Sequence, residues 1–444
     1  MDSIQFDGSE AVYSWLLGFV NVEKGQATVF KLDRMRELAA ELGSPERSYR
    51  TIHVAGSKGK GSVSMMLACI LRESGHRVGL YTSPHLLRWK ERISLAGEEI
   101  DESCIIAAAN RLRPLVEGRL ASDFPGDELP TYFELSTLVA FEAFRLAGCD
   151  IAVIETGLGG RLDSTNIVAS EASLITRLEL EHTEWLGDSI EKIAFEKAGI
   201  IKPGRPVCVA PQVPEAMAVI EGTAGERGCR LVDVGKRATI ADLSIDRRGT
   251  RASFSFAEGW PWSGKREFAT PLIGEVQAQN MAQAILAAAL VEEKLGPDAV
   301  SRGLAAVRLP ARFELVSEDP PVVLDGAHTP ASVALALDSL ERLFPGPKLL
   351  LFACAIDKRH EEMARILAGH FADIVVTKPG SFKQSDPEAV HGSFASANSK
   401  ARLIPDTRQA VAACLEEARR EGLALLVTGS FYLCAEAAKL IQEA

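Results

Sequence analysis

The chain has 444 residues, of which 47% are apolar and 25% are charged, and its formal net charge is -11. It is long enough for two or three domains, and its acidic excess argues against broad affinity for nucleic acid or anionic membranes. Because the chain begins with polar and acidic residues and contains no apolar run of about 18 residues, we expect neither a secretory signal nor a membrane span, and we expect a cytoplasmic protein.

The first half of the sequence alternates short β-branched runs with helical patterns. Strands are predicted over residues 51–55, 77–82, 151–156, 173–178 and 206–210. This alternation is typical of a mostly parallel sheet with helices on its faces. Between about 230 and 272 the apolar residues alternate by twos after a turn-like DRRGT, which predicts a small antiparallel insertion before helical residues return at 280–296.

The second half starts the alternation again. Strands are predicted within residues 321–328, 348–355, 372–377 and 423–430, with a helical pattern at 331–344 among the intervening segments. We therefore predict an α/β fold, in which a P-loop-type, mostly parallel sheet domain over 1–307 precedes a smaller Rossmann-like α/β domain over 308–444.

The segment GSKGKGS, residues 56–62, lies between a predicted strand and a predicted helix. Glycines let backbone N–H groups converge on an anion, a helix N-terminus adds partial positive charge, and Lys60 can reach the β and γ phosphates of a nucleotide. The spacing departs from G-x-x-x-x-G-K-[ST], since two residues separate Gly56 from Gly59. The alternative is a glycine-rich turn at the surface.

The segment IETGLGGRLDSTN, residues 154–166, runs from the end of a predicted strand into a glycine-rich loop. A carboxylate such as Glu155 at the carboxyl end of a parallel strand lies where ligands of such sheets bind, and its oxygens suit Mg2+. The alternative is a solvated loop in which Asp163 caps a helix.

Residues 178–204 predict a helix that begins with a capping box of Asp188 and Glu191. Lys197 falls on its apolar face, where an ammonium has to be paired, neutralised or extended to solvent at the helix end. His182 lies among acidic residues and is either a metal ligand or a structural histidine, and Mg2+ by itself favours oxygen donors.

Three short segments of the second half carry polar residues: LPARFE at 309–314, LDGAHTP at 324–330 and TGSFYL at 428–433. Asp325 and His328 follow one predicted strand, and Ser430 follows another. These strand ends are predicted to face a cleft between the domains, although His328 alone is equally typical of a hydrogen-bonded loop histidine.

In this order, the segments resemble the folylpolyglutamate synthase and dihydrofolate synthase family of ATP-dependent amide ligases, which are relatives of the Mur ligases. The resemblance covers nearly the whole chain, in segments at 30–63, 79–93, 131–144, 155–166, 181–204, 310–314, 324–330 and 428–433. Several motifs in one order are far more specific than the phosphate loop alone.

The resemblance implies ATP as co-substrate, bound by residues of both predicted domains. The phosphate-binding turn corresponds to Gly59, Lys60, Gly61 and Ser62, and Lys60 would also be catalytic. Further ATP contacts are implied for Asn280, Arg312 and Asp325.

The resemblance also implies Mg2+, as two ions, with Ser83, Glu155 and His182 as ligands. Lys197 resembles the lysine that the family carries as a carbamate. A carbamate would replace the ammonium on the apolar helix face with a catalytic anion near the metal ions.

The other substrates implied by the resemblance are L-glutamate and either dihydropteroate or a reduced folate. The pteroate surface corresponds to Thr131, Tyr132, Phe133 and Glu134 and to Arg161, Leu162, Asp163 and Ser164. His328 and Ser430 resemble residues that hold the incoming glutamate, and His328 is also predicted to be catalytic. We expect the protein to act as a monomer.

The chain departs from the family pattern at several positions. Ser57 and Lys58 replace the usual T-N before G-K-G, Glu179 and Glu181 alter the usual G-L-D-H that ends at His182, Thr329 replaces asparagine, and Arg359 replaces an aspartate. These changes affect substrate preference more than the ligase assignment, because the groups needed for ATP and Mg2+ remain.

The predicted reaction transfers the γ-phosphoryl group of ATP to a carboxylate of the pterin substrate, and the amine of L-glutamate then attacks the acyl phosphate to form an amide. Two alternatives stay open from the sequence. One is another Mur-type amino-acid ligase, acting on a cell-wall precursor. The other is an ATP-dependent switch or binding protein that is not a ligase.

Overall fold

The computed structural model describes residues 5–20, 32–257, 260–380, 384–398 and 400–443. The first segment of the family resemblance begins at Phe30, so that Phe30 and Lys31 lie outside the described residues. Residues 1–4, 21–29 and 258–259 of the first predicted domain, and 381–383, 399 and 444 of the second, also lie outside them.

Within these ranges, a first sheet has eight strands in the order β4-β3-β2-β5-β1-β6-β7-β8. Its strands are β1 Arg50–Ala55, β2 Val78–Tyr81, β3 Ile93–Leu95, β4 Glu98–Glu99, β5 Ile151–Glu155, β6 Ala172–Ile175, β7 Val207–Val209 and β8 Leu231–Asp233. All neighbouring pairs from β2 to β8 are parallel, and β3 and β4 form an antiparallel edge. The mostly parallel sheet predicted from the sequence is confirmed.

Two further sheets follow in the chain. A three-stranded antiparallel sheet consists of β9 Ala238–Asp246, β10 Gly249–Phe256 and β11 Arg266–Thr270. A six-stranded sheet has the order β12-β13-β17-β14-β15-β16 and consists of β12 Glu314–Glu318, β13 Pro321–Asp325, β14 Lys348–Phe352, β15 Asp373–Val376, β16 Ala401–Leu403 and β17 Ala424–Thr428. We call the first two sheets with their helices the first lobe, and the six-stranded sheet with its helices the second lobe.

Helices cover both faces of the two parallel sheets. In the first lobe the described helices are α1 Ser9–Leu17, α2 Asp33–Glu41, α3 Lys60–Glu73, α4 Glu102–Leu112, α5 Tyr132–Leu146, α6 Thr183–Leu186, α7 Ile190–Ala198, α8 Pro214–Glu226, α9 Val234–Arg237, α10 Val276–Val291 and α11 Pro297–Ala305. In the second lobe they are α12 Pro330–Leu343, α13 His360–Leu367, α14 Pro387–Ala395, α15 Thr407–Glu421 and α16 Phe431–Glu443. None of the helices in the described ranges combines the length and apolar character that crossing a bilayer requires.

The central strand β1 holds the first lobe together because both of its faces are covered. Ile52 and Val54 belong to the core that α3 and α10 share with the three-stranded sheet. On the other side of the sheet, a second core includes Phe141 and Phe144 of α5. A strand buried in this way is rich in β-branched and apolar residues, which is the pattern that predicted it, although β1 also buries Thr51 and His53.

The three-stranded sheet also contacts the second lobe at the turn between β9 and β10. The guanidinium carbon of Arg247 lies 4.4 Å from the centre of the Phe344 ring, and its Nη2 donates to the carbonyl oxygen of Leu343 at 3.2 Å. Ile245 packs against the second-lobe core to which Phe344 belongs. The predicted antiparallel insertion is confirmed, but it begins at Ala238, because residues 231–233 form β8 of the first sheet.

Other sequence predictions need correction at the helix ends. Helix α7 is capped by Ser189, whose side chain accepts from the backbone N–H of Lys192 at 3.4 Å, so the predicted capping box of Asp188 and Glu191 is wrong.

The structure also contains strands that the sequence patterns did not predict: β3, β4, β8, β12 and β16. The proposed division at 307/308 falls between α11 and β12 and stays a prediction.

Close packing of α11 on α3 gives a prediction about stability. A Cβ atom at Gly303 would lie 2.6 Å from the Cα of Ile70 in α3, whereas a Cβ at Gly222 in α8 would meet nothing within 4 Å. We expect Gly303→Ala to lower the free energy of unfolding by about 1–3 kcal/mol through overpacking. Gly222→Ala, the matched control, is expected to raise it by about 0.5–1 kcal/mol. Urea unfolding of both variants measures this, and equal stability of the two would contradict the packing argument.

Candidate active site

One cavity of about 600 Å3 lies where the carboxyl ends of the two parallel sheets face each other. Its first-lobe wall comes from the segments after β1, β2, β5 and β6, and its second-lobe wall from those after β13, β14 and β17. This is the usual ligand position in open α/β sheets. Of the residues predicted from the sequence, the cavity is lined by Gly59, Lys60, Gly61, Ser62, Ser83, Glu155, His182, Asn280, Arg312, Asp325, His328 and Ser430.

The phosphate loop after β1 has a backbone that requires glycine at two positions. Gly56 has φ +152°, and a Cβ atom there would lie 1.8 Å from Oγ1 of Thr176. Gly59 has φ +87°, and a Cβ there would lie 2.9 Å from Oδ1 of Asn280. Because the loop leads directly into α3 at Lys60, the unpaired N–H groups of the first helical turn point toward the cavity end of the sheet.

Two lysine ammonium groups converge on one backbone oxygen in this loop. Nζ of Lys60 donates to the carbonyl oxygen of Gly56 at 2.9 Å, and Nζ of Lys197 donates to the same oxygen at 2.8 Å. The side chain of Lys197 is 2% exposed, so the alternative in which it extends to solvent is wrong. Like charges held this close make the loop a favourable place for a bound anion.

Glu181 supplies the counter-charge for Lys197. Its Oε1 lies 3.1 Å from Nζ of Lys197. Burial and the charge of Lys60 lower the pKa of Lys197 to about 8, against the opposing effect of Glu181. For Glu181 itself, burial raises the pKa, but the nearby ammonium groups, first that of Lys197, outweigh burial, so that the net pKa lies below the usual value.

Glu155, at the end of β5, is a buried carboxylate beside Ser83. The backbone N–H of Ser83 donates to Oε2 of Glu155 at 3.4 Å. Burial raises the pKa of Glu155, while the charges of Lys60 and Arg312 oppose that rise. His182 precedes α6 with a left-handed φ of +48°, and burial lowers its pKa.

These donors fit a magnesium ion that is shared with a substrate. The described residues contain no group of three His, Cys, Asp or Glu side chains that could hold a metal by themselves. Glu155 and Ser83 offer oxygen atoms at one strand-end position, and Mg2+ in proteins commonly takes one or two side-chain oxygens together with water and phosphate oxygens.

On the second-lobe wall, Asp325 orders the two loops around it. Its two oxygens accept from the backbone N–H groups of Phe313 and Ala327, both at 2.8 Å. The guanidinium carbon of Arg312 lies 4.3 Å from the centre of the Phe431 ring. The charge of Arg312 acts on both Asp325 and Glu155, so it links the two walls electrostatically.

His328 is held in one orientation by its own loop. Its Nδ1 lies 2.8 Å from the carbonyl oxygen of Gly326. Burial lowers the pKa of His328, against the opposing effect of the hydrogen bond to Gly326, and the charges of Lys58, Lys358 and Arg312 act in the same direction as burial. Ser430, directly before α16, accepts from the backbone N–H of Tyr432 at 3.2 Å.

The residues predicted to form the pteroate surface do not line this cavity. Thr131 and Glu134 form the capping box of α5, and Arg34 binds the buried Glu134 carboxylate at 3.0 Å. Tyr132 lies beneath the guanidinium of Arg92, 5.7 Å from ring centre to guanidinium carbon. Phe133 occupies the space beside Gly157, where a Cβ would lie 2.4 Å from its ring, and Gly157 itself lines the cavity.

The neighbouring loop 161–164 is likewise fixed by internal contacts. Arg161 pairs with Glu196 at 2.8 Å, and Leu162 and Ser164 are half-buried. Asp163 is buried, caps a short 3-10 turn and accepts from the backbone N–H of Leu158 at 2.8 Å. The capping role considered for Asp163 is therefore confirmed, but the alternative of a solvated loop is wrong at this residue, because Asp163 is buried. Whether the loop also contacts a substrate stays a prediction.

Several cavity residues were not predicted as site residues from the sequence. They include Lys58, His85, Lys358, Phe431 and Tyr432. From the sequence, Lys58 is identified only as a departure from the family pattern. Lys358 follows β14, and ligands of such sheets bind at the carboxyl ends of parallel strands. Its position after a predicted strand was therefore a signal that could have identified it.

Comparison with known families and proteins places both lobes among the Mur ligases. Residues 54–288 match the Mur ligase middle domain, and residues 311–431 match the Mur ligase glutamate ligase domain. The chain is 34% identical to the folylpolyglutamate synthase of Lacticaseibacillus casei, over 90% of this chain and 92% of that protein. It is 33% identical to the dihydrofolate synthase/folylpolyglutamate synthase of Bacillus subtilis, over 93% and 95%.

A solved structure agrees with this fold. The structure of E. coli FolC in complex with DHPP and ADP has a TM-score of 0.83 against this chain, with 30% identity over 97% of this chain and 98% of that one. The predicted fold class is thereby confirmed.

The Lys197 and Glu181 pair predicts an asymmetric mutational effect. Glu181→Gln leaves a buried ammonium without its carboxylate, and we expect it to lower the free energy of unfolding by about 3 kcal/mol. Adding Lys197→Met to that variant is expected to recover most of this loss, because no uncompensated charge remains. The matched control is Asp188→Asn, which breaks the exposed Asp188–Lys192 pair of 2.8 Å and is expected to have no measurable effect. Similar losses in Glu181→Gln and Asp188→Asn would contradict the burial argument.

The same lysine predicts how stability depends on pH. Its pKa of about 8 in the folded protein lies below the ordinary value of 10.5. Below pH 8 the ammonium is charged in both states, so that the cost of burying it is present in full. Between pH 8 and 10.5 the folded state loses the proton first, and wild type is expected to gain up to about 3 kcal/mol relative to Lys197→Met. Urea unfolding at pH 7.5 and pH 10 in CO2-free buffer measures this, and a constant difference would refute it.

Proposed function

The chain belongs to the folylpolyglutamate synthase and dihydrofolate synthase family of Mur ligases, and from this premise we propose that it uses ATP to join L-glutamate to dihydropteroate or to reduced folates. The observation that carries the proposal is the shared cavity, in which a phosphate loop on one lobe faces His328 and Ser430 on the other. The E. coli relative that binds DHPP and ADP supports the same choice of substrates.

The first step makes a poor electrophile reactive. A carboxylate of the folate substrate takes the γ-phosphoryl group of ATP, which gives an acyl phosphate and ADP. Backbone N–H groups of Gly59 to Ser62 hold the phosphates, and Lys60 turns from the carbonyl oxygen of Gly56 to the transferring phosphoryl group. Arg312, whose charge acts on both walls, is placed to neutralise charge at the lobe interface.

The second step forms the amide. The amine of L-glutamate attacks the acyl carbon, a carbon–nitrogen bond forms, and phosphate leaves. His328 and Ser430 hold the amino acid on the second-lobe wall. Closure of the lobes around the cavity excludes water, which would otherwise hydrolyse the acyl phosphate.

Mg2+, as two ions, would be held by Glu155, Ser83 and His182 together with phosphate oxygens, and would supply charge neutralisation for the phosphoryl group. Asn280, Arg312 and Asp325 would contact ATP. The surface from Thr131 to Glu134 and the loop from Arg161 to Ser164 would bind the pteroate portion, and Gly157 joins that surface to the cavity.

Lys197 is suited to carry a carbamate. Its lowered pKa leaves a fraction of the amine neutral near physiological pH, and a neutral amine attacks CO2 to form an N–C bond with release of one proton. The product is an anion beside Lys60, which would replace the repulsion between two ammonium groups with attraction. Intact-mass measurement with and without bicarbonate, compared with Lys197→Met, tests this modification. The cytoplasmic location and the monomeric state stay predictions.

Product formation tests the proposed function directly. Purified protein with ATP, Mg2+ and L-glutamate is expected to release ADP only when dihydropteroate or tetrahydrofolate is added, and the product mass then identifies the amide. Running the two acceptors side by side separates the first glutamate addition from later ones. Lys60→Ala is expected to lower kcat by at least about 10^2-fold, because it removes a charge aimed at the transferring phosphoryl group. ATP hydrolysis that is indifferent to glutamate would instead support a nucleotide-dependent switch.

A further inference from the structure

The amino acid that enters the second step arrives as an ammonium ion, which has no lone pair with which to attack a carbonyl carbon. Forming the acyl phosphate does not remove that proton, so the cavity needs a base near the amine. Three histidines line the cavity: His85, His182 and His328. Their hydrogen bonds distinguish them.

His328 has the tautomer that a base requires. The carbonyl oxygen of Gly326 can only accept, so Nδ1 of His328, at 2.8 Å, carries the proton. The lone pair of the neutral ring is therefore on Nε2. The ring also packs at 6.0 Å, edge to face, on Phe431, which fixes its plane.

The other two histidines do not meet this requirement. Nδ1 of His85 accepts from Nε of Arg92 at 2.9 Å, so the remaining nitrogen of the neutral ring is a donor. His182 lies on the first-lobe wall, where the proposed function uses its lone pair for a metal ion. His328 alone of the three stands on the wall formed by the glutamate ligase domain.

The charges around His328 come from several elements. Lys58 of the phosphate loop, Lys358 after β14 and Arg312 before β12 all act on it as cations. The carboxylates nearby are engaged: Asp357 with Lys358 at 2.8 Å, and Asp325 with backbone N–H groups. On helix α12, which follows His328 in the chain, Asp338 and Arg342 also line the cavity.

We propose that His328 is the general base that removes a proton from the incoming amino acid, and that Lys58, which lines the same cavity from the opposite lobe, acts electrostatically on this base. Nε2 takes one ammonium proton, the freed nitrogen lone pair attacks the acyl carbon, and the carbon–oxygen bond to phosphate breaks. The phosphate leaves with that electron pair and accepts the second nitrogen proton. The imidazolium then returns its proton to solvent, which the adjacent cations favour.

Lys58 gives this proposal a feature specific to the chain, since it stands where the family usually has asparagine. Lys58 of the phosphate loop and His328 of the second lobe line the same cavity, and the charge of Lys58 acts on the histidine. The proposal rests on the proposed function, because it assigns the proton transfer of the same ligation.

The test compares two acceptors across pH in the full-length protein. Glutamate needs deprotonation, whereas hydroxylamine is already unprotonated at neutral pH and traps the acyl phosphate as a hydroxamate. His328→Asn keeps an N–H for Gly326, and His328→Gln is the second variant. Both are expected to lose about 10^2-fold or more in kcat/KM for glutamate and to lose the acid limb of the pH profile, while hydroxamate formation stays within a few-fold of wild type.

Lys58→Asn is tested in the same assay. Removal of a cation makes the imidazolium easier to form, so the acid limb for glutamate is expected to move to higher pH, and Lys58→Arg is expected to leave it in place. Lys265→Asn removes an equal charge from the residue directly before β11, which does not line the cavity, and serves as the control.

Three results would overturn the assignment. If the acid limb of the pH profile persists in both His328 variants, His328 is not the base. If hydroxamate formation falls in parallel with amide formation, His328 acts in the first step instead. A limb that moves no further in Lys58→Asn than in Lys265→Asn removes Lys58 from the proposal. If wild type forms neither amide nor hydroxamate, the proposed function itself has failed.

Discussion

The carbonyl oxygen of Gly56 accepts hydrogen bonds from both Lys60 and Lys197, and much of the first lobe is arranged around that contact. Two ammonium groups on one oxygen repel each other, and one of them is almost fully buried. The loop tolerates this because Glu181 neutralises Lys197 and because Thr176 and Asn280 pack against the loop where any side chain at Gly56 or Gly59 would collide. The result is a closely packed loop whose electrostatic energy becomes more favourable when an anion binds.

The second lobe completes this site from the opposite side. Its sheet brings Asp325, His328 and Ser430 to strand ends that face the phosphate loop. Arg312 connects the two walls, because its charge acts on Asp325 in one lobe and on Glu155 in the other. A change in the charge on either wall therefore alters the electrostatic potential at the other wall. This suits a reaction in which phosphoryl transfer from the nucleotide is followed by attack of an amine.

The sequence predicted the parallel sheets and twelve of the residues that line the cavity, because buried strands and glycine-rich strand ends have strong local signals. It did not predict that Lys197 would be paired with Glu181, since that contact joins a loop and a helix whose spacing depends on the packing of α7. The cap of α7 was assigned to Asp188 instead of Ser189, because adjacent polar residues are equally good caps by composition.

The limits of local patterns are also visible in the pteroate surface. Thr131 and Glu134 match a family motif, yet their visible contacts are a helix cap and an ion pair with Arg34. One short motif can serve both folding and binding, and spacing alone does not separate the two. Short edge strands such as β4 were missed for a related reason, because two residues carry too little periodicity to be recognised.

The contact of Arg247 with Phe344 and Leu343 means that the proposed domain division in the sequence does not coincide with the division between the packed cores. The turn between β9 and β10 precedes the proposed 307/308 division by about sixty residues, yet it covers part of the second-lobe core. A fragment cut at that division would leave the Phe344 ring without its guanidinium cover and the Leu343 carbonyl without its donor. The turn thus connects the two halves, and expressing either half separately would remove this contact.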